Sequence, residues 1–387
     1  MAQSSRSSRR SARSFYSIFS AAFFMAVSTA LIAYFLSSYL KLLVGKEYVG
    51  LAFTVSYLIS MVFINFFPMI VGRLGVVKSF MSILGVNFLA LALLAYGDSS
   101  SWVTPVFVIF LSANALVWVN YDVLLETFSQ DSCTGRTRAL SLTLMNLGWV
   151  FTPLLAGWLI EKYGFPIIFT LSALLLIPPF FLVDHVKTRR LNYKYRSVRA
   201  VLRQVWRSKP LRSIFVISFL LSFFYSWMVI YTPLYLQGHG FDWPTIGKIF
   251  SVMLIPFVLF QYPAGWLADK FWGESEMISW SLVIMSLTTA AIFWFTTPLA
   301  LALLLFGTRV GASIIEELRD SYFYKHVGPE DAYLIDAFRN TGPLAYVLGP
   351  LVATGVIHFL PMVYLYPVLA VIILGGLFFS LTMPDTK

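Results

Sequence analysis

Charge is scarce in this 387-residue chain: 12% of its residues are Asp, Glu, Lys or Arg, against about 25% in ordinary soluble domains. A soluble globular core is excluded by that shortage. Cysteine occurs once, as Cys133, so no internal disulfide can form, and its expected place in a cytoplasmic loop suits a reduced thiol. No Gly-x-x-x-x-Gly-Lys-Ser/Thr phosphate loop occurs; Gly45-Lys46-Glu47 lacks both the upstream glycine and the hydroxyl, which excludes an ATP motor. His-Glu-x-x-His, Gly-x-Ser-x-Gly and Cys/His metal spacings are missing too. The four histidines, His185, His239, His326 and His358, are scattered over loops and edges. Neither an enzyme, a metal site nor a cofactor is expected.

What is abundant is apolar. Hydrophobic residues make up 58% of the chain and aromatic ones 17%, and they gather in twelve runs. Each is close to the roughly 20 residues that a helix needs to cross a hydrocarbon layer about 30 Å thick. The runs cover residues 15–40, 49–71, 79–96, 103–121, 139–160 and 165–183, then 213–237, 249–268, 277–295, 298–316, 332–357 and 360–383. No charge interrupts Met277 to Thr308, a stretch too long for one crossing, so Thr296-Thr297-Pro298 marks a boundary. The expected fold is all-α and integral to the membrane. Its divisions are a basic tail (1–14), an N-terminal six-helix bundle (15–183), a basic amphipathic linker (184–212), a C-terminal six-helix bundle (213–383) and a short tail (384–387).

The basic residues give an orientation, because short loops rich in Lys and Arg stay in the cytoplasm. With the N-terminus inside, 22 of the 28 Lys and Arg fall in cytoplasmic segments, ten of them between Lys187 and Arg212. The opposite loops hold only Lys41, Lys46, Lys162 and Lys248. A multi-pass protein of the cell membrane with both termini cytoplasmic is expected. The net charge of +10 thus follows insertion rules, and no nucleic-acid partner is expected. The tail from Ser4 to Arg13 has the composition of an organellar transit peptide, although a disordered positive anchor is the plainer reading. In the linker, Val198, Val201, Leu202, Val205 and Trp206 share one helical stripe while Arg196, Arg199, Arg203 and Arg207 share another. A helix lying against anionic lipid headgroups fits this pattern; a docking site for an acidic partner is the alternative.

The two halves repeat each other. After the second run the chain reads Gly72-Arg73-Leu74-Gly75-Val76-Val77-Lys78, and after the eighth Gly265-Trp266-Leu267-Ala268-Asp269-Lys270-Phe271-Trp272-Gly273. Asn146-Leu147-Gly148 with Pro153-Leu154-Leu155-Ala156 is answered by Asn340-Thr341-Gly342 with Pro350-Leu351-Val352-Ala353. At these residues, and over essentially its whole length, the chain resembles the major facilitator superfamily. The family's loop pattern, Gly-x-Leu-Ala-Asp-Arg/Lys-x-Gly, is matched at Gly265, Leu267, Ala268, Asp269, Lys270 and Gly273, with one extra residue before the last glycine. The first copy keeps Arg73, Gly75 and Lys78 but has Pro68 for the first glycine and Gly72 for the aspartate. Thr152-Pro153 stands where many antiporters of the family show Gly-Pro.

That resemblance implies two pseudo-symmetric bundles rocking about a shared cavity, and hence a secondary transporter of a small solute. An ion gradient, with protons as the candidate ion, or the solute's own gradient would drive it; a monomer is expected. A non-transporting scaffold or receptor on the same fold is the alternative. The loop reads as a cytoplasmic latch built from Arg73, Lys78, Gly265, Asp269, Lys270 and Gly273, with Asp122 or Glu126 meeting Arg73 and with Asp336 and Arg339 nearby. Arg309 stands eleven residues from Pro298, about 16 Å along a helix, and so near mid-membrane, where charge is costly and reads as functional. Glu316 lies two turns on. Arg309 binds an anionic group or a coupling carboxylate in one reading and pairs with Glu316 in the other. In the family the cavity is lined by the first, fourth, seventh and tenth spans, which adds Ser28, Thr29, Asn114, Tyr225, Trp227 and Tyr231 as candidates. So aromatic a lining suits a hydrophobic or amphipathic solute, with a lean towards efflux.

Overall fold

In hydrocarbon every backbone N–H and C=O must be satisfied within the protein, and a chain with runs of this length answers with helices. The computed structural model describes residues 2–97, 100–126, 134–184, 186, 198–327 and 332–384; side chains are described from Tyr16 onward, except at 100, 126, 134–144, 198, 269, 332 and 336. All regular structure among the described residues is helical. The helices are α1 (Ala2–Ala33), α2 (Leu36–Val44), α3 (Lys46–Leu74), α4 (Val76–Ala95), α5 (Ser100–Glu126), α6 (Thr134–Tyr163), α7 (Phe165–Leu175) and α8 (Ile177–Val183). After the linker come α9 (Val198–Arg207), α10 (Lys209–Gly238), α11 (Trp243–Leu259), α12 (Gln261–Lys270), α13 (Glu274–Ala291), α14 (Pro298–His326), α15 (Ala332–Arg339), α16 (Thr341–Phe359), α17 (Leu365–Leu374) and α18 (Gly376–Leu381).

Eleven apolar crossings are present among the described residues, some made of two consecutive helices. The fifth expected crossing falls on α6, a 30-residue helix, which brings the number to twelve. Several expected single spans are interrupted. Pro178 and Pro179 lack the N–H groups that would bond back one turn, and the chain breaks at Leu176 between α7 and α8. Pro343 does the same to the Arg339 carbonyl, and the break falls at Asn340 between α15 and α16. The tenth span runs longer than expected, to His326.

The chain divides into two compact units, Met1–Val44 with Val55–Tyr193 and Gly45–Thr54 with Lys194–Lys387. In the first, α1 packs on α6, α7 and α8, and α4 on α5 and α7. In the second, α14 is central and packs on α10, α11, α12 and α13, while α10 also holds α16. Apolar burial cannot drive association between helices already in lipid, so close contact and hydrogen bonds do it. Ser28 Oγ donates to the Ser172 carbonyl at 2.8 Å and Ser172 Oγ to the Ser28 carbonyl at 2.6 Å, a reciprocal clasp of α1 on α7. Gly307 and Gly311 form the matching device in the second unit. A Cβ on Gly307 would strike the Thr288 side chain, and one on Gly311 would strike the Ser281 carbonyl and Met285 of α13.

The ends of the helices carry their own chemistry. Gly75 turns between α3 and α4 at φ 81°, a left-handed conformation that favours glycine. Gly273, its counterpart in the second loop, sits at φ −75° and needs no glycine for its backbone. Asp242 caps α11, its Oδ1 accepting from Thr245 N at 3.0 Å; these Thr245 bonds hold its carboxyl below the ordinary carboxylate range. Lys162 Nζ lies over Trp158 and Tyr163, and Lys270 Nζ over Trp266, in the manner of interfacial anchors.

Gly311→Ala is expected to lower the melting temperature in detergent by the equivalent of about 1–3 kcal/mol, since overfilling a close-packed contact costs that much. Gly355→Ala serves as the reference: a Cβ there meets nothing within 4 Å, so alanine's better helix propensity should leave stability unchanged or raised.

Candidate functional site

The glycine seam decides where α14 points its charges. At about 100° per residue, Arg309 lies about 160° from both Gly307 and Gly311, so packing the glycines on α13 turns the guanidinium toward α10. Arg309 is 1% exposed. Its Cζ stands 4.9 Å from the centroid of Phe224 and 5.5 Å from that of Tyr225, within cation–π range. Nε, Nη1 and Nη2 are buried without a hydrogen-bond partner.

Seven residues are close to two turns, so Glu316 shares that face. The Arg309–Glu316 ion pair, one of the two readings open from sequence, is not formed. The Tyr225 hydroxyl instead donates to Glu316 Oε2 at 2.6 Å, and the Tyr225 ring lies 6.4 Å from Phe257. α10, α11 and α14 thus bring one free guanidinium, one carboxylate and three aromatic rings together. Guanidinium donors in a planar fork match carboxylate or phosphate oxygens, in a setting where water competes weakly for them.

Beyond Glu316, Arg319 Nε meets Asp320 Oδ1 at 3.1 Å, and Nη1 donates to Ser218 Oγ at 3.2 Å. Ser218 Oγ is 2.9 Å from Thr341 Oγ1, which donates to the Phe338 carbonyl at 2.7 Å. This relay ties α14 and α10 to the break between α15 and α16. Sequence reasoning missed Ser218 and Thr341, whose hydroxyls carry no charge signal. It also missed Glu274, which is 1% exposed at the start of α13, where a helix N-terminus favours an anion, and which meets Lys325 Nζ at 2.5 Å.

Other candidates have different neighbours. Trp227 Nε1 donates to the Gly349 carbonyl at 2.7 Å and the Tyr231 hydroxyl to the Pro350 carbonyl at 3.1 Å, clasping α10 to α16. Thr29 Oγ1 donates to Asn114 Oδ1 at 3.3 Å between α1 and α5, and Ser28 is spent on Ser172. Among the latch residues, Arg73, Lys78 and Lys270 are exposed, while Asp122 and Arg339 are half-buried. No ion pair joins Arg73 to Asp122 among the described residues. Gly265 of α12 faces Glu317 of α14, and a Cβ there would lie 3.6 Å from Glu317 Oε1, an ordinary contact that does not require glycine. The side chains of Glu126, Asp269 and Asp336 lie outside the described residues. No group of three metal-ligating side chains occurs among those described.

A family model described as Major Facilitator Superfamily matches residues 18–315. The chain is also similar to the crystal structure of an aspartate-to-alanine mutant of the nucleoside transporter NupG, with a TM-score of 0.74 and 15% identity, over 95% of this chain and 98% of that one. No curated protein matches.

Lys325→Met removes the cation that meets the buried Glu274 carboxylate and is expected to cost about 2 kcal/mol, less than the 3–5 of a fully buried pair because Lys325 is 39% exposed. Pairing it with Glu274→Gln should restore most of the loss, as read from melting temperatures in a double-mutant cycle.

Proposed function

Since the chain belongs to the Major Facilitator Superfamily and is a multi-pass secondary transporter, we propose that it moves an amphipathic solute carrying a negatively charged group, held at Arg309. The observation that carries this reading is a cation 1% exposed whose nitrogens find no acceptor, set against aromatic faces that suit an apolar body. Glu316 is the proton carrier. Its carboxylate lies on the same face of α14 and accepts from Tyr225, so a proton taken up there offsets the charge of an anion arriving beside it. Trp227 and Tyr231 hold α10 to α16 within the second unit, and Ser28, Thr29 and Asn114 hold helices of the first unit together. In this reading both termini and the linker face the cytoplasm of a cell membrane, α9 rests against anionic headgroups, and the protein works as a monomer. Arg73, Lys78, Asp122, Glu126, Gly265, Asp269, Lys270, Gly273, Asp336 and Arg339 form its cytoplasmic gate.

The test is uptake into proteoliposomes from a panel of aromatic carboxylates, their neutral amides, and nucleosides, the solute class named for NupG. Carboxylates should cross faster than amides, and Arg309→Ala should weaken their apparent affinity about ten- to a hundredfold, the range for losing a hydrogen bond to a charged group. Glu316→Gln should remove the response to a collapsed pH gradient while leaving counterflow of the solute. Selective flux of nucleosides that ignores Arg309→Ala would refute the anionic solute, and no flux above empty vesicles would leave a scaffold.

A further inference from the structure

α9 is joined to the first turn of α10 through a single residue, Ser208, and α10 is a membrane crossing. The helix is therefore fixed at the edge of the hydrocarbon. Successive residues turn by about 100°, which gives α9 three distinct stripes. Val201 and Val205 are buried, and Gln204 Oε1 accepts from the Tyr333 hydroxyl at 2.9 Å, so this side is docked on α10 and α15. Leu202 and Trp206, on the next stripe, are 50% and 59% exposed. Arg199, Arg203 and Arg207, on the third, are exposed at intervals of four residues, about 6 Å apart along the axis. They line a shallow cleft of about 640 Å³ together with Ala200, Gln204 and Ser208. Sequence alone gives one apolar stripe; the structure splits it, keeping the valines for the protein and leaving the leucine and tryptophan outward.

We propose that this cleft is a discrete binding site for an anionic phospholipid of the facing leaflet. The phosphate lies across neighbouring guanidinia, and the first acyl carbons lie on Leu202 and Trp206. The inference rests on the orientation given under the proposed function only in placing α9 at a lipid surface. Charge complementarity selects the occupant. The chain's own adjoining segment, with Lys187, Arg189, Arg190, Lys194 and Arg196, repeats the sign of the cleft and cannot neutralise it. An exposed tryptophan beside the arginines matches an acyl boundary better than an acidic protein surface.

The experiment is native mass spectrometry of the full chain released from nanodiscs holding equal parts phosphatidylglycerol and phosphatidylcholine, with no dependence on transport. Retained phosphatidylglycerol should exceed phosphatidylcholine, and each of Arg199→Gln, Arg203→Gln and Arg207→Gln should reduce it about fivefold, the effect of one basic residue at an anionic surface. Trp206→Ala should shorten retention without abolishing the preference. Equal retention of the two lipids, retention unchanged in the triple arginine variant, or displacement of lipid by millimolar glycerol phosphate or by a poly-glutamate peptide would overturn the proposal. Circular dichroism confirms that each variant stays helical, so a loss of lipid is not a loss of fold.

Discussion

One cation held inside a helix bundle without an anion governs the arrangement of the second unit. A lone charge in a low-dielectric interior costs several kcal/mol, and Arg309 meets part of that cost through the faces of Phe224 and Tyr225. The remainder constrains everything nearby. Tyr225 cannot turn away without exposing the guanidinium to apolar surroundings, and its hydroxyl fixes Glu316 in turn. α14 cannot rotate either, because Gly307 and Gly311 admit α13 on the opposite side. Small residues and a large charge, two positions apart in sequence, are halves of one device.

Elsewhere in the molecule the polar side chains do quieter work. Ser28 with Ser172, Trp227 with Gly349 and Tyr231 with Pro350 each join two helices whose apolar surfaces have no reason to prefer one another over lipid. Such bonds supply directional specificity where burial supplies none. Toward the ends of α13 and α14 the chain changes method, and ion pairs take over: Glu274 with Lys325, Arg319 with Asp320. These carry α14 about three turns beyond where its apolar run stops.

The crossings were legible in the sequence because lipid imposes a length, and a run of about 20 apolar residues has few alternatives. Family membership was legible in the loop from Gly265 to Gly273, and the depth of Arg309 in its distance from Pro298. Rotation was not. Whether Trp227 faces a cavity or the Gly349 carbonyl depends on a turn of α10 about its axis, which a uniformly apolar helix does not encode. Tyr225 and Glu316 are 91 residues apart and belong to different periodic patterns, so nothing local couples them. The interruptions at Leu176 and Asn340 could have been read from Pro178, Pro179 and Pro343, but prolines are tolerated inside α3, α5 and α6 without a break.

Were Glu316 ionised in the empty site, it would balance Arg309 on the same face of α14, and the site would carry no net charge. If a monovalent anion and one proton enter together, it remains neutral when loaded. Moving a net charge across the bilayer involves about 2.3 kcal/mol for every 100 mV, but a carrier whose full and empty forms have the same charge is blind to that field on the return stroke. Membrane voltage would then neither drive nor brake the cycle, and the proton concentration difference alone would set how far the solute accumulates.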